Sequence, residues 1–519
     1  MPTKTATTGT LNGLSIVTPA VDEIRLRAYK FALDPTAEQS AMLRSHAGSA
    51  RWAFNYALAI KKERMEAWRL AVDELVTLGW TEKESRAIIK TMDGLRMPGS
   101  SQIQNYFTAN RELESDPRRR CDWWSEVCRR AFVSGFDNAD KAFDNWFASL
   151  SGRRQGRPVG FPRFKKRGSK DSFTLVGAVK VVDYRHVQLP RIGKIRIHDT
   201  AKRLVRKIER NGATIQSVTV SRGANKWYAS MLVKETVTIA RPTHAQVFRG
   251  SIGVDVGVAE LAGLSDGTLI ENPRWAGRDA KKLKKAQRNL SRKVGSKRGE
   301  KQSANFKKAK TRVATIQHLT AVRRQSNLHQ ITKKLTTTYA HIAIEDLKIA
   351  NMTRGVKAKS DPENEGQYLP NGKAAKSGLN RSILDVGWGE FRRQLEYKAA
   401  WYGTEIVAVP AFYTSMTCSQ CLHCSTRNRK SQAEFKCEKC GYENNADINA
   451  AINIHNAAFK KPNEIEEVTC NERETQNACG GNTTAGTFAF QIPSDAIETG
   501  SPPSVSVDTR AKQCALTPI

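Results

Sequence analysis

Apolar and polar positions alternate along Arg25-Leu-Arg-Ala-Tyr-Lys-Phe-Ala-Leu33, and this period of two predicts a strand with one basic face. Asp34-Pro35-Thr36 ends the strand and caps a helix that runs from Ala37. Leu43, Trp52, Phe54, Tyr56, Leu58 and Ile60 mark the apolar faces of this helix and of one after it. Residues 62–150 read as further helices around a Pro-Gly-Ser-Ser loop at 98–101, and aromatics at 136, 143, 146 and 147 fit one buried stripe. Short runs with glycine turns follow, such as His186-Val-Gln-Leu189 and Ser217-Val-Thr-Val-Ser221. They predict a small β-barrel to which the strand at 25–33 would add.

In Ser251–Gly267, Ile252, Val254 and Val256 alternate with small or polar residues and Asp266-Gly267 supplies a turn, so the stretch reads as the first half of a hairpin. Asp255 sits in its middle. A charge on a central strand costs on the order of several kcal/mol unless something binds it. A metal ion would remove that cost, and Gly253 and Gly257 would leave room for the ligand. His341-Ile-Ala-Ile-Glu-Asp346 is a second short strand, ending in Glu345 and Asp346, and Asn445–Asn453 opens a helix with Asp447 in its first turn. Any one of these acids alone reads as a surface or capping group. Together Asp255, Glu345 and Asp447 suit two Mg²⁺ ions about 4 Å apart that serve phosphodiester cleavage.

Between the two acid-bearing strands, residues 278–334 hold nineteen Lys or Arg against two acids, with apolar residues at helical spacing. This predicts a long helical hairpin with one face on the core and the other on nucleic acid, where Lys284, Lys285, Arg288 and Arg292 would lie. Residues 350–378 lack periodicity and read as a mobile loop beside Glu345. An amphipathic helix at about 380–402 and the strand Glu405–Val409 complete the pattern.

The net charge of +33 calls for a polyanionic partner. No run of eighteen apolar residues occurs, so nucleic acid rather than membrane is expected, in the cytoplasm or on the nucleoid. Residues 153–167 are dense in Arg and Lys and contain no acid. A solvated charge run is the plain account, but the interleaved Phe161 and Phe164 favour a loop laid along a phosphate backbone by Arg153, Arg154, Arg157, Arg163, Lys165 and Lys166.

Five of the ten cysteines lie between 418 and 440, which suits metal binding in a reducing compartment. Cys418-Ser-Gln-Cys421 and Cys437-Glu-Lys-Cys440, fifteen residues apart, have the spacing of a four-thiolate zinc ribbon. A closed set of this kind makes one Zn²⁺ structural. A shifted site using His423 or Cys424 in place of Cys421 is the alternative. Cys121, Cys128, Cys470, Cys479 and Cys514 fit no pattern and read as free thiols. Residues 1–20 and those after 457 lack periodicity and read as a flexible arm and a disordered tail.

With these pieces placed, the chain resembles the TnpB family of transposon-encoded RNA-guided nucleases, relatives of the type V CRISPR effectors. The resemblance rests on Tyr29-Lys-Phe31 with Pro35–Gln39, Gly160-Phe-Pro-Arg-Phe164, Gly253-Val-Asp-Val-Gly257, Leu379–Asp385 with 391–403, and the region from Cys418 to Asn453. It implies a multidomain α/β plus β-barrel chain, in which a RuvC-like RNase H fold holds Asp255, Glu345 and Asp447 and carries an inserted zinc ribbon. The implied parts are a wedge-type β-barrel at 21–35 and 151–245, a helical recognition lobe at 36–150, the nuclease at 246–410 and 444–457, and the ribbon at 411–443. A flexible arm at 1–20 and a tail at 458–519 flank them; the resemblance implies that the codons of the tail serve the RNA, which would leave the peptide dispensable.

The resemblance further implies a guide RNA derived from the transposon end and cleavage of double-stranded DNA next to a short transposon-adjacent motif; the oligomeric state is left open, with a monomer favoured. Extra residues at about 67–118 and 350–378 set this chain apart from shorter members. A nuclease-silent guided regulator, a compact type V effector and a strand-transferring transposase are the alternatives.

Overall fold

The computed structural model describes residues 22–460 except 111–121, 155, 169–170, 225, 239, 297–300, 363 and 365, together with 7–11, 14–18, 468–469 and 487–488. Two compact units divide the chain, one of residues 1–239 and 283–318, the other of 240–282 and 319–519.

In the first unit, β1 (Thr7–Leu11) and β2 (Leu14–Thr18) pair antiparallel with Leu11 opposite Leu14, where the sequence reading expects a flexible arm. The overlooked signal is Asn12-Gly13, a strong two-residue hairpin dipeptide, between runs rich in β-branched residues. Strand β3 (Asp22–Asp34) follows, then α1 (Ala37–Thr77), α2 (Glu82–Thr91), α3 (Ser100–Asn110) and α4 (Arg129–Leu150). Thr36 caps α1 in a capping box with Gln39, whose side chain accepts from the Thr36 amide. No proline interrupts residues 37–77, and the two helices expected there are a single one. Gly135 lets α4 press onto α1, since a Cβ there would sit 2.3 Å from the Ala50 carbonyl oxygen. Phe54, Tyr56, Phe107, Phe132, Phe136 and Phe143 fill the contact, whereas Phe147 is 42% exposed, so the aromatic stripe runs off the core at its end.

The remaining elements of this unit are β4 (Ser172–Val176), β5 (Lys180–Asp183), β6 (His186–Leu189), β7 (Gly193–Ile197), α5 (Lys202–Asn211), β8 (Thr214–Gly223) and β9 (Lys226–Thr238). Seven strands form one antiparallel sheet in the order β4-β8-β9-β3-β7-β6-β5 around a core that includes Phe31, Leu175, Ile195, Val220 and Met231. Among the described residues β4 and β5 are not bonded to each other, so the expected barrel is an open sheet. Closure needs a continuous ladder, and β5 is four residues long with an irregular register.

The second unit contains α6 (His244–Arg249), β10 (Ser251–Val256), β11 (Glu260–Leu264) and β12 (Leu269–Glu271). Helices α7 (Trp275–Ser291) and α8 (Ala304–Thr338) form the expected basic hairpin, of which residues 283–318 group with the first unit. Then come β13 (His341–Glu345), α9 (Ile349–Met352), α10 (Lys373–Val386), α11 (Trp388–Tyr402), β14 (Glu405–Val409), β15 (Glu434–Lys436), β16 (Glu443–Asn445) and α12 (Ala446–Phe459).

The main sheet of this unit has the order β12-β11-β10-β13-β14, with β10, β11 and β12 antiparallel and β10, β13 and β14 parallel. Asp266-Gly267 joins β11 to β12, and the turn after β10 is at 257–259, so the expected hairpin turn is the second one. Gly387, at φ 82°, splits the helix expected at 380–402 into α10 and α11. The expected loop at 350–378 contains part of α9 and a Ser360–Tyr368 pairing. The rest of the tail reading lies outside the described residues, apart from β17 (Val468–Thr469) paired with β18 (Thr487–Phe488).

Candidate active site and cysteine cluster

Parallel pairing sets Val254 of β10 opposite Ile344 of β13, so the next residues, Asp255 and Glu345, are neighbours at the ends of two adjacent strands. Helix α12 lies across the same strands. A Cβ at Gly253 would sit 2.1 Å from the Ala451 carbonyl oxygen, and one at Gly263 would sit 2.8 Å from the Asp447 carbonyl oxygen. A Cβ at Gly257 would be 3.3 Å from Asp447 Oδ2. Gly253 and Gly263 therefore make room for the helix that delivers Asp447, while Gly257 is crowded by the Glu260 carbonyl oxygen of its own turn and by the Asp447 carboxylate. The expectation that Gly253 clears space for a ligand is corrected accordingly. Asn445 caps α12, its side chain accepting from the amides of Asp447 and Ile448.

Asp255, Glu345 and Asp447 thus come together. Burial first, then Glu345, then Asp447, push the Asp255 carboxyl well above the carboxylate range, and Arg429 opposes the shift. Asp447 is also raised, mainly by burial, with Arg429 lowering it and Glu260 adding repulsion. Arg429 Nη2 donates to Asp447 Oδ1 at 3.4 Å. The Thr414 hydroxyl donates to Glu345 Oε1 at 2.6 Å, while the adjacent Asp346 is turned to Arg392 at 2.5 Å. Glu345 and Asp447 thus both act on Asp255 with one guanidinium beside them, although among the described residues the one set of metal-binding side chains already within reach of a shared ion is the four-cysteine group below. Sequence reasoning missed Thr414, Arg429 and Glu260, because a threonine, an arginine between cysteine pairs and an acid after a turn look like ordinary surface residues.

The sulfurs of Cys418, Cys421, Cys437 and Cys440 lie within 4.8 Å of one another. Cys418 and Cys440 are 3.7 Å apart and Cys421 and Cys437 3.5 Å. A tetrahedral zinc with bonds of about 2.3 Å separates its sulfurs by about 3.8 Å. Burial pushes the Cys418 thiol up to about 12, so a thiolate there calls for a bound cation. His423 and Cys424 are not members of the cluster; Cys424 packs with Tyr413 and Met416. Cys128 is a free thiol, and Cys121, Cys470, Cys479 and Cys514 lie outside the described residues.

Two asparagines of α12 tie the cluster to the acids. Asn449 accepts from the Ser419 amide at 3.0 Å and donates to the Thr417 carbonyl at 2.8 Å. Asn453 donates to the carbonyls of Thr414 and Thr417 at 2.8 and 2.7 Å. The segment leading into Cys418 is thereby fixed to the helix of Asp447, and Thr414 on that segment holds Glu345.

Of the basic residues read from sequence, Lys284, Lys285 and Arg288 are exposed on α7 and Arg292 in the turn just after it, and Arg153, Arg157, Arg163 and Lys166 are exposed in their loop. Arg154 is half-buried and bonds Asn145. Lys165 lies 3.8 Å above the Phe54 ring, with its backbone held by the Asn55 side chain. Phe161 packs edge-on against Phe143 and Trp146, leaving Phe164 as the exposed aromatic of the loop.

Three family models match this chain: "Probable transposase" over 235–355, "Cas12f1-like, TNB domain" over 388–454 and "Helix-turn-helix domain" over 25–69. The third stretch is here a strand followed by the first part of α1. The chain is 35% identical to "Putative RNA-guided DNA endonuclease InsQ" of Escherichia coli (strain K12), over 83% of its own length and 92% of that protein. It is 30% identical to "Putative RNA-guided DNA endonuclease MT2953" of Mycobacterium tuberculosis (strain CDC 1551 / Oshkosh), over 85% and 88%. The chain belongs to the TnpB family. A shorter match, 40% identity over 15% of this chain and 16% of the relative, is to "CRISPR-associated endodeoxyribonuclease Cas12f1" of an uncultured archaeon.

Proposed function

We propose that this chain is an RNA-guided, metal-dependent DNA endonuclease encoded by a transposon, cutting double-stranded DNA next to a short transposon-adjacent motif. The convergence of Asp255, Glu345 and Asp447 carries the reading. Acids on the first and fourth strands of a sheet with three antiparallel and two further parallel strands support a RuvC-like RNase H fold. The relatives matched over most of their length are named as RNA-guided DNA endonucleases. They favour a transposon enzyme over a compact CRISPR effector, whose match is confined to a short stretch.

Asp255, Glu345 and Asp447 would hold two Mg²⁺. When bound, these ions supply charge neutralisation and an activated water for phosphodiester hydrolysis. Both other acids repel the charge on Asp255, Thr414 orients Glu345, and Arg429 offsets the charge of Asp447. Cys418, Cys421, Cys437 and Cys440 would hold one Zn²⁺ that fixes the ribbon. Pairing with a guide RNA from the transposon end would supply sequence specificity, while the basic hairpin and the 153–167 loop would hold backbones. Residues 36–150 serve as the recognition lobe and 21–35 with 151–245 as the wedge region in this reading. The protein would act as a monomer in the cytoplasm, and among the described residues no helix is long and apolar enough to cross a membrane.

The test is cleavage of matched DNA by the protein with its copurified RNA and Mg²⁺. Loss of cutting in Asp255→Ala, with RNA binding retained, is the expected result; guided cutting by that variant sinks the assignment.

A further inference from the structure

A cavity of about 780 Å³ opens between the end of α1, α2, the turn at 93–95 and the end of α4. Its volume lies within the usual range for a site that takes a small ligand. Most of it is built by the 67–118 stretch together with the last turns of α4, where the aromatic stripe leaves the core. Trp68, Trp146 and Phe147 are the aromatic part of apolar walls that methionine, leucine and isoleucine side chains complete, and Arg64, Arg69 and Lys90 stand around them. The rings of Trp146 and Phe147 are 4.7 Å apart, and the Arg86 guanidinium sits 5.8 Å from the Trp68 ring centre while pairing with Glu82. Among the described residues no carboxylate lines the cavity.

Aromatic rings set in apolar walls with cations around them match one ligand chemistry well. A nucleobase has two flat faces for the indoles, and its phosphates meet the guanidinium and ammonium groups. An apolar peptide would fit the walls and leave the cations without a partner. A strand that stays bound can keep a base in such a cavity, whereas a target that must be scanned and released would be slowed by one.

We propose that this cavity holds an unpaired base of the guide RNA, an inference that rests on the guided-nuclease reading and extends it to a site outside the nuclease. The base stacks between Trp68 and the Trp146–Phe147 pair.

The full chain is loaded with guide RNA transcribed with 5-iodouridine in place of uridine, irradiated and digested, and the crosslinked peptides are mapped. Crosslinks on the peptides of Trp68 or of Trp146 and Phe147 are expected. Trp68→Ala should weaken RNA binding about tenfold, as loss of one base stack does, and Trp68→Phe should restore it. Both variants should melt with the wild type. Crosslinks only elsewhere, equal RNA affinity in the two variants, or crosslinks here from iodinated target DNA instead of the guide would each overturn the proposal. Crosslinks at the cavity in a protein that cuts no DNA would sink the nuclease reading and leave the cavity assignment standing. Normal cutting without these crosslinks would do the reverse.

Discussion

Four cysteines from one short stretch, 418–440, form a cluster whose members are set by two tight turns, whereas three carboxylates from positions 255, 345 and 447 meet only when two strands and a helix have packed. The cluster is local and closed, and its geometry is written in the spacing of its residues. The acid site is non-local and costly to assemble without metal, because burial and mutual repulsion both oppose the charge on Asp255. Asn449 and Asn453 link the two, so the inexpensive local site braces the costly distant one.

The strongest way to break this contrast is to remove the zinc. Cys437→Ser should take bound zinc, measured by elemental analysis, from one per chain to near none, and unfold the ribbon. Structural zinc sites are worth on the order of 10 kcal/mol. Cleavage should fall with it, since α12 loses its anchor; full activity in the zinc-free variant would show that the two sites are independent. Asp255→Ala separates them from the other side. Cleavage should drop by at least about a thousandfold, roughly 4 kcal/mol in the barrier, with zinc content unchanged.

A smaller effect tests the link itself. Asn453→Ala leaves the buried Thr414 carbonyl without its donor and should cost about 1–3 kcal/mol in chemical denaturation. Cutting should slow while the zinc stays bound; unchanged stability and rate would mean that the clamp is idle. The smallest change concerns charge alone. The folded-state pKa of Asp255 is raised, so ionising it destabilises the fold: the penalty is absent below the unfolded value of about 4, grows as the pH rises towards the folded value and is constant above that. In magnesium-free buffer Asp255→Asn should therefore melt above the wild type at neutral pH, with the gap closing near pH 4. A gap that widens in acid would contradict the burial argument.

What could be read from the chain follows the same divide. Cys418–Cys440 were legible because ligand spacing is a short-range signal, and the strands around Asp255 and Glu345 because alternation is local. Asp447 was placed in the first turn of its helix for the same reason. The neighbours of these acids were not legible. Nothing near Thr414 or Arg429 announces a carboxylate more than a dozen residues away in sequence, and Gly253 looked like room for a ligand until α12 lay against it. The open edge of the seven-stranded sheet depends on whether β4 and β5 can reach each other, a matter of strand length and register that periodicity does not carry. The break at Gly387 and the continuity of α1 rest on one left-handed glycine and on the absence of proline, which the apolar pattern does not carry.

Gly253 sets a tolerance for the whole centre. The strand and the helix above it touch through main-chain atoms, so the gap between Asp255 and Asp447 is gauged by the thickness of two backbones and does not drift as side chains hop between rotamers. One methyl group at 253 would act as a wedge: it would touch no acid, yet it would pry the centre apart, and the variant would look like a folding defect rather than a lost nuclease.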